Sequence, residues 1–239
     1  MAESTLSLTY SDVQYEVGKF LGWDRTAASW TATQNTDFTY VLKRGLRLFY
    51  FPPSQEQDKP YHEWSFLRKY ANVTLVDGNS SYTLADDCGG TVLDFSATYA
   101  AGSGRPRLRS IPESELRALQ SYSNQTKKWP LYYAVRNQAI ANTGQRYEML
   151  VYPTPGATQV NATISYSYVY VPNVMATDAV YPDGGGMYSE VLLSAILAAA
   201  EASIDDDPMG KHMERFGLLI TAAVRDDKNK KLTGTGANL

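Results

Sequence analysis

The hydrophobic period of the chain changes twice, and this constrains the fold more than any other feature. Residues 9–53 carry apolar side chains at helical spacing, residues 70–171 run in short β-type stretches, and helical spacing returns after Pro182. Near the N-terminus, Thr9 is placed to cap a helix, with Asp12 three residues on. Val13, Val17, Phe20 and Leu21 then form one stripe, which Gly22 ends. A second helix is predicted from a Thr36 cap through Phe38, Val41, Leu42, Gly45, Leu48 and Phe49 to Pro52-Pro53. Lys43, Arg44 and Arg47 take its other face.

The middle of the chain predicts strands over Asn72–Val76, Ser81–Leu84, Thr91–Tyr99, Leu108–Ile111, Leu131–Arg136, Arg146–Tyr152 and Gln159–Val171, with a short helix over Pro112–Gln120. In the last strand Ile164, Tyr166, Tyr168 and Tyr170 share one face by parity, and Thr163, Ser165 and Ser167 share the other, as in a half-solvated antiparallel strand. Beyond Gly184-Gly185-Gly186, Met187, Val191, Leu192, Ala195, Ile196 and Ala199 form a broad helical stripe. Asp207 and Pro208 are placed to cap and open a final helix through Phe216, Leu219, Ile220 and Ala223. The polar stretch Lys228–Leu239 is expected to be loose by itself.

Four amphipathic helices cannot bury their stripes separately. The expected fold class is therefore α+β: a helical bundle formed from both chain ends, 1–69 and 183–239, with an inserted antiparallel β-sandwich or barrel-like module over 70–182.

Composition serves mainly to exclude. Hydrophobic residues make up 44% and charged residues 20%, a balance that supports a packed core. Net charge is −3, and none of the segments 1–60, 61–183 and 184–239 has a basic excess, which argues against sequence-specific nucleic-acid binding. The single Cys88 and the distant pair His62 and His212 leave no disulfide framework and no cysteine- or histidine-rich metal site. Val191–Ala200, the longest mostly apolar run, is too short for a membrane span, and Met-Ala-Glu-Ser-Thr shows no signal-peptide pattern.

No catalytic, cofactor or metal residues are expected. Gly184-Gly185-Gly186 lacks the lysine of a phosphate loop and reads as a hinge. Asp205-Asp206-Asp207 reads as a solvated helix terminus, and Asp86-Asp87 as a turn. Arg105, Arg107 and Arg109 alternate along a strand and suit a phosphate or an acidic partner, while a solvated strand face or an ion pair between subunits is the plainer reading. The 18 tyrosines suit both strands and wet contact surfaces.

In this order the motifs resemble the head-to-tail adaptor proteins of tailed bacteriophages. Leu8–Leu21 and Thr36–Pro53, with Leu46-Arg47-Leu48-Phe49-Tyr50-Phe51-Pro52-Pro53, are similar to the opening helix pair of that family. Trp64-Ser65-Phe66-Leu67 is followed by Tyr82-Thr83-Leu84-Ala85-Asp86-Asp87, where Ala85 replaces a usual proline and Cys88 a usual aromatic. Tyr132-Tyr133-Ala134-Val135 and Val151-Tyr152-Pro153-Thr154-Pro155 resemble the family's paired strands. The helices after Tyr181 fit its closing pair.

The resemblance implies a structural virion protein without enzymatic activity or cofactor, located in the neck or tail and assembled in the host cytoplasm. It implies a homo-oligomeric ring of about twelve copies that joins portal to tail or neck proteins. Double-stranded DNA would pass through the ring without sequence-specific binding, and no membrane is involved. Lys228, Lys230, Lys231, Leu232 and Leu239 are the candidates for portal contact. Asp77, Gly78, Asn79, Gly102, Ser103 and Gly104 are the candidates for the tail side, with Arg105, Arg107 and Arg109 between subunits or facing phosphate. Two other readings stand beside it. One is a carbohydrate- or surface-binding β-module that stacks sugars on exposed Trp129, Tyr132 and Tyr168. The other is a hydrolase with a carboxylate site, tested at Asp205–Asp207.

Overall fold

Two reciprocal capping boxes start the N-terminal helices. The computed structural model describes residues 4–52, 61–92, 97–99, 105, 107–121, 127–138, 144–204 and 210–235. Helix α1 (Tyr10–Phe20) begins where the Thr9 side chain accepts from the Asp12 N–H and the Asp12 carboxylate accepts from the Thr9 N–H. Helix α2 (Ala32–Tyr50) uses the same device with Thr31 and Gln34. It therefore starts earlier than the Thr36 cap expected from sequence. Thr36 has Thr39 at the third position, which cannot reach back as Gln34 does, and its hydroxyl instead donates to the Ala32 carbonyl at 2.9 Å.

The remaining elements are β1 (Arg68–Thr74), β2 (Ser81–Thr83), β3 (Cys88–Val92), β4 (Thr98–Tyr99), β5 (Arg109–Ser110), α3 (Glu113–Ser121), β6 (Tyr132–Gln138), β7 (Arg146–Tyr152), β8 (Thr163–Tyr170), α4 (Ser189–Ile204) and α5 (Lys211–Thr235). The chain divides into two compact units, residues 1–66 with 172–239 and residues 67–171.

In the first unit α4 packs against α1, α2 and α5. That explains its burial: Val191, Leu192 and every residue from Ser194 to Ala200 are buried, so the helix is apolar nearly all round. Gly45 sets the α2–α4 approach, since a Cβ there would lie 2.5 Å from the Ile196 Cα. In the same unit Phe49, Trp64 and Phe66 stack on one another, Tyr188 meets them at a tilt, and the Trp64 Nε1–H donates to the Phe49 carbonyl at 2.9 Å. Gly184, at φ +105°, closes over Phe66 and Tyr188 in the turn that leads to α4.

Among the described residues the second unit holds two four-stranded sheets, and neither closes into a barrel. In one, β8 pairs antiparallel with β1, β3 and β4. In the other the order is β2-β7-β6-β5. The expected all-antiparallel module needs one correction: β5 pairs parallel with β6. Helix α3 lies between them in the chain, and such a crossover returns the next strand in the same direction. Leu116 of α3 packs on Ala134 and Leu150 of this sheet. The half-solvated pattern expected of β8 holds only in its first half. From Tyr166 to Tyr170 both faces of this central strand are buried.

The C-terminal stretch differs from expectation too. Lys228–Leu239 was expected to be loose, yet α5 continues through Thr235. The Asp207 cap and Pro208 lie outside the described residues.

Candidate contact surfaces

Helix α5 carries most of the expected portal side, and one buried carboxylate anchors it. Asp227 is wholly buried. It accepts from the Ser65 N–H at 3.1 and 3.2 Å and from the Ser65 hydroxyl, and His62 Nε2 lies 2.9 Å from its second oxygen. The His62 N–H donates to the Pro52 carbonyl, and its ring meets the Trp64 face edge-on. Sequence reasoning missed this cluster because Asp227 sits in a run of charged residues that looks solvated. The carboxylate stands between Ser65 and His62, so the hydroxyl donates to an acid and not to an imidazole base. That order does not activate a nucleophile.

Of the portal candidates, Lys228 is half-buried. Lys230 pairs with Asp226 at 2.7 Å and reaches the Tyr188 hydroxyl at 3.5 Å. The Asp226 carboxylate holds the Lys230 ammonium above its ordinary pKa, while burial pushes the Tyr188 phenol up. Lys231 and Leu232 lie on the same helix, and Leu239 lies outside the described residues.

The tail-side candidates Asp77, Gly78 and Asn79 form a turn in the second unit. Gly78 has φ +75°, a conformation that favours glycine, and its N–H donates to the Pro155 carbonyl at 3.0 Å. Asp77 pairs with Lys127 at 2.8 Å, and the Tyr82 hydroxyl donates to the Asn79 carbonyl at 2.9 Å. Gly102, Ser103 and Gly104 lie outside the described residues.

Arg105, Arg107 and Arg109 are all exposed, with Leu108 buried between the last two. Arg105 sits 4.2 Å above the Trp129 ring. This changes the sugar-stacking reading: Trp129 and Tyr132 are only half exposed, and Tyr168 is buried. The Tyr168 hydroxyl donates to Asp87 at 2.7 Å, and its pKa is raised by burial and by that bond. Burial pushes Asp87 upward, but the hydrogen bonds from Tyr168 and Lys69 outweigh it and hold the carboxyl below its ordinary value.

Asp86, expected in a turn, is exposed and pairs with Arg146 at 3.4 Å. Asp205–Asp207 lie outside the described residues. Among the described residues no group of three potential metal ligands comes together, and no helix is long and apolar enough to cross a membrane. The His212 backbone N–H donates to the Glu201 carboxylate at 2.8 Å, and the His212 ring meets Phe20 edge-on.

The family model described as SU10 adaptor protein matches residues 8–237, nearly the whole chain. The chain belongs to this family, a bacteriophage head-to-tail adaptor family, and with it to the structural proteins of the virion. Among curated proteins no significant match is found.

Proposed function

We propose that the chain is the repeating subunit of a phage neck ring, closed by about twelve copies between portal and tail, with double-stranded DNA passing through its bore. The observation that carries this reading is the adaptor-family match over residues 8–237. In this reading the helices of the first unit act as a bundle that forms the body of the ring. The two sheets act as a sandwich that meets tail or neck proteins. The protein is assembled in the host cytoplasm, does no catalysis and needs no cofactor.

The portal side is the C-terminal part of α5, with Lys228, Lys230, Lys231 and Leu232, together with Leu239 beyond it. The tail side is the β-unit, with Asp77, Gly78, Asn79 and the Gly102–Gly104 segment. Two features support the first assignment. Asp227 ties the helix to Ser65 and His62, which flank Trp64 of the aromatic core, and the helix continues from that anchor through Thr235. A polar segment placed beyond a fixed point suits docking.

Truncation after Asp227 tests this. The full chain mixed with portal rings should give, by native mass measurement and negative-stain imaging, a complex with a closed adaptor ring. The truncated chain should keep its fold and lose that complex. A truncated chain that joins portal rings normally refutes the portal assignment, and a full chain that never forms rings refutes the proposal.

A further inference from the structure

The near-neutral charge of the middle segment hides a strong polarity. Residues 95–147 contain eight Lys and Arg residues and only two carboxylates, Glu113 and Glu115, in a chain of net charge −3. Glu113 is already taken, by Arg117 at 2.9 Å and Arg136 at 3.4 Å. Along the β5 edge of its sheet runs a row of exposed cations. Arg107 and Arg109 flank buried Leu108 and so point outward together. Neither forms an ion pair among the described residues. Arg105 continues the row over the Trp129 indole, which is itself braced edge-on by Tyr99. Lys128 and Leu131 are exposed beside it, and the Leu131 carbonyl accepts from the Arg109 N–H at 2.8 Å.

We infer that this edge is a docking surface for the phosphate backbone of double-stranded DNA, held without reading its sequence. The inference rests on the proposed function only for the source of the duplex. A guanidinium offers two parallel donors to a phosphate, and the indole beneath Arg105 fixes the plane of that fork. Duplex DNA carries one charge per about 1.7 Å of its axis, so a row of cations meets phosphates in any register. The matching unit of a second copy is a poorer occupant, because most of its described carboxylates already hold cations: Asp77 with Lys127, Asp86 with Arg146, Asp87 with Lys69, Glu113 with Arg117 and Glu148 with Arg136, with exposed Glu115 the exception. A footprint of three arginines is small. It should hold DNA loosely and release it readily, which suits a duplex that has to move.

The test uses the full-length protein, a labelled random-sequence duplex of about 30 base pairs, and fluorescence anisotropy. Three phosphate contacts predict a salt slope of about −2.7, or about fortyfold weaker binding on going from about 50 to about 200 mM salt. Arg105→Gln/Arg107→Gln/Arg109→Gln should abolish measurable binding with an unchanged melting temperature. Lys43→Gln/Arg44→Gln/Arg47→Gln, on the exposed face of α2, should bind like the wild type. Should the triple arginine variant fold poorly, Arg107→Gln/Arg109→Gln leaves the Trp129 stack intact and should still cut the slope by about two-thirds. Absence of duplex binding at low salt, or binding unchanged in the arginine variants, overturns the inference. So does a variant that keeps DNA binding and loses ring or portal assembly, since the row would then meet an acidic protein surface. Loss of DNA binding with assembly intact supports the inference and leaves the adaptor reading standing.

Discussion

Asp227→Ala should be the most damaging single polar substitution in the helical unit. The wild-type carboxylate is fully buried and accepts from the Ser65 amide, the Ser65 hydroxyl and the His62 side chain. Alanine removes the acceptor and leaves buried His62 and half-buried Ser65 without it, and each buried orphaned donor costs about 1–3 kcal/mol, less where water can reach it. Partial relaxation and shared geometry reduce the sum, as in buried pairs that lose one partner, to about 3–5 kcal/mol. At about 2–4 °C per kcal/mol, the thermal transition of this unit should fall by roughly 6–20 °C. Asp227→Asn keeps one carbonyl acceptor in place and should lose less than half of that. The assay is thermal unfolding followed by circular dichroism at 222 nm together with tryptophan fluorescence, because Trp64 lies in the affected core. If the alanine variant melts within about 2 °C of the wild type, the carboxylate is not the anchor of α5 and the reasoning fails.

Other outcomes follow from the same packing. Gly45→Ala gains up to about 1 kcal/mol of helix propensity. It also drives a Cβ to 2.5 Å from the Ile196 Cα, which is backbone and cannot swing aside. Overpacking should win, with a net loss of about 1–3 kcal/mol in urea titration, and a stabilised variant would refute the close approach. Asp87→Asn should destabilise the β-unit in a pH-dependent way. The folded-state pKa of Asp87 is lowered, so its contribution is present above the unfolded carboxyl range near about pH 4 and vanishes as pH falls through the folded value. The gap in melting temperature between variant and wild type should therefore be open at neutral pH and closed in strong acid, and a constant gap would contradict it. Thr31→Ala removes one half of the α2 capping box and should cost about 1 kcal/mol, read as a lower denaturation midpoint with an unchanged slope.

The helices at the chain ends were legible because their signals are local. The Thr9–Asp12 box and the Val13, Val17 stripe lie within a few turns, and a period of 3.6 residues can be counted on the page. Strand positions were legible for the same reason, as in β6 and β7, which pair from Tyr132 with Tyr152 to Gln138 with Arg146. The error at Thr36 was also local: two threonines competed as caps, and the amide at Gln34 decided between them. The candidate contact surfaces could be named only as residue types. Arg105, Arg107 and Arg109 could be grouped by alternation, but not the indole under the first of them.

Sequence alone fixed what each segment prefers, since backbone propensity, capping and hydrophobic period act over a few residues. It also contained the cation-rich stretch 95–147, though averaging over a longer window concealed it. Tertiary structure decided which distant groups meet. Asp227 is a surface residue by composition and a buried anchor by contact with Ser65, 162 positions away. Tyr168 alternates like a half-exposed strand residue, yet it is buried, with its hydroxyl on Asp87, 81 positions away. Burial and partnership belong to pairs of segments far apart in the chain, so no local pattern can state them.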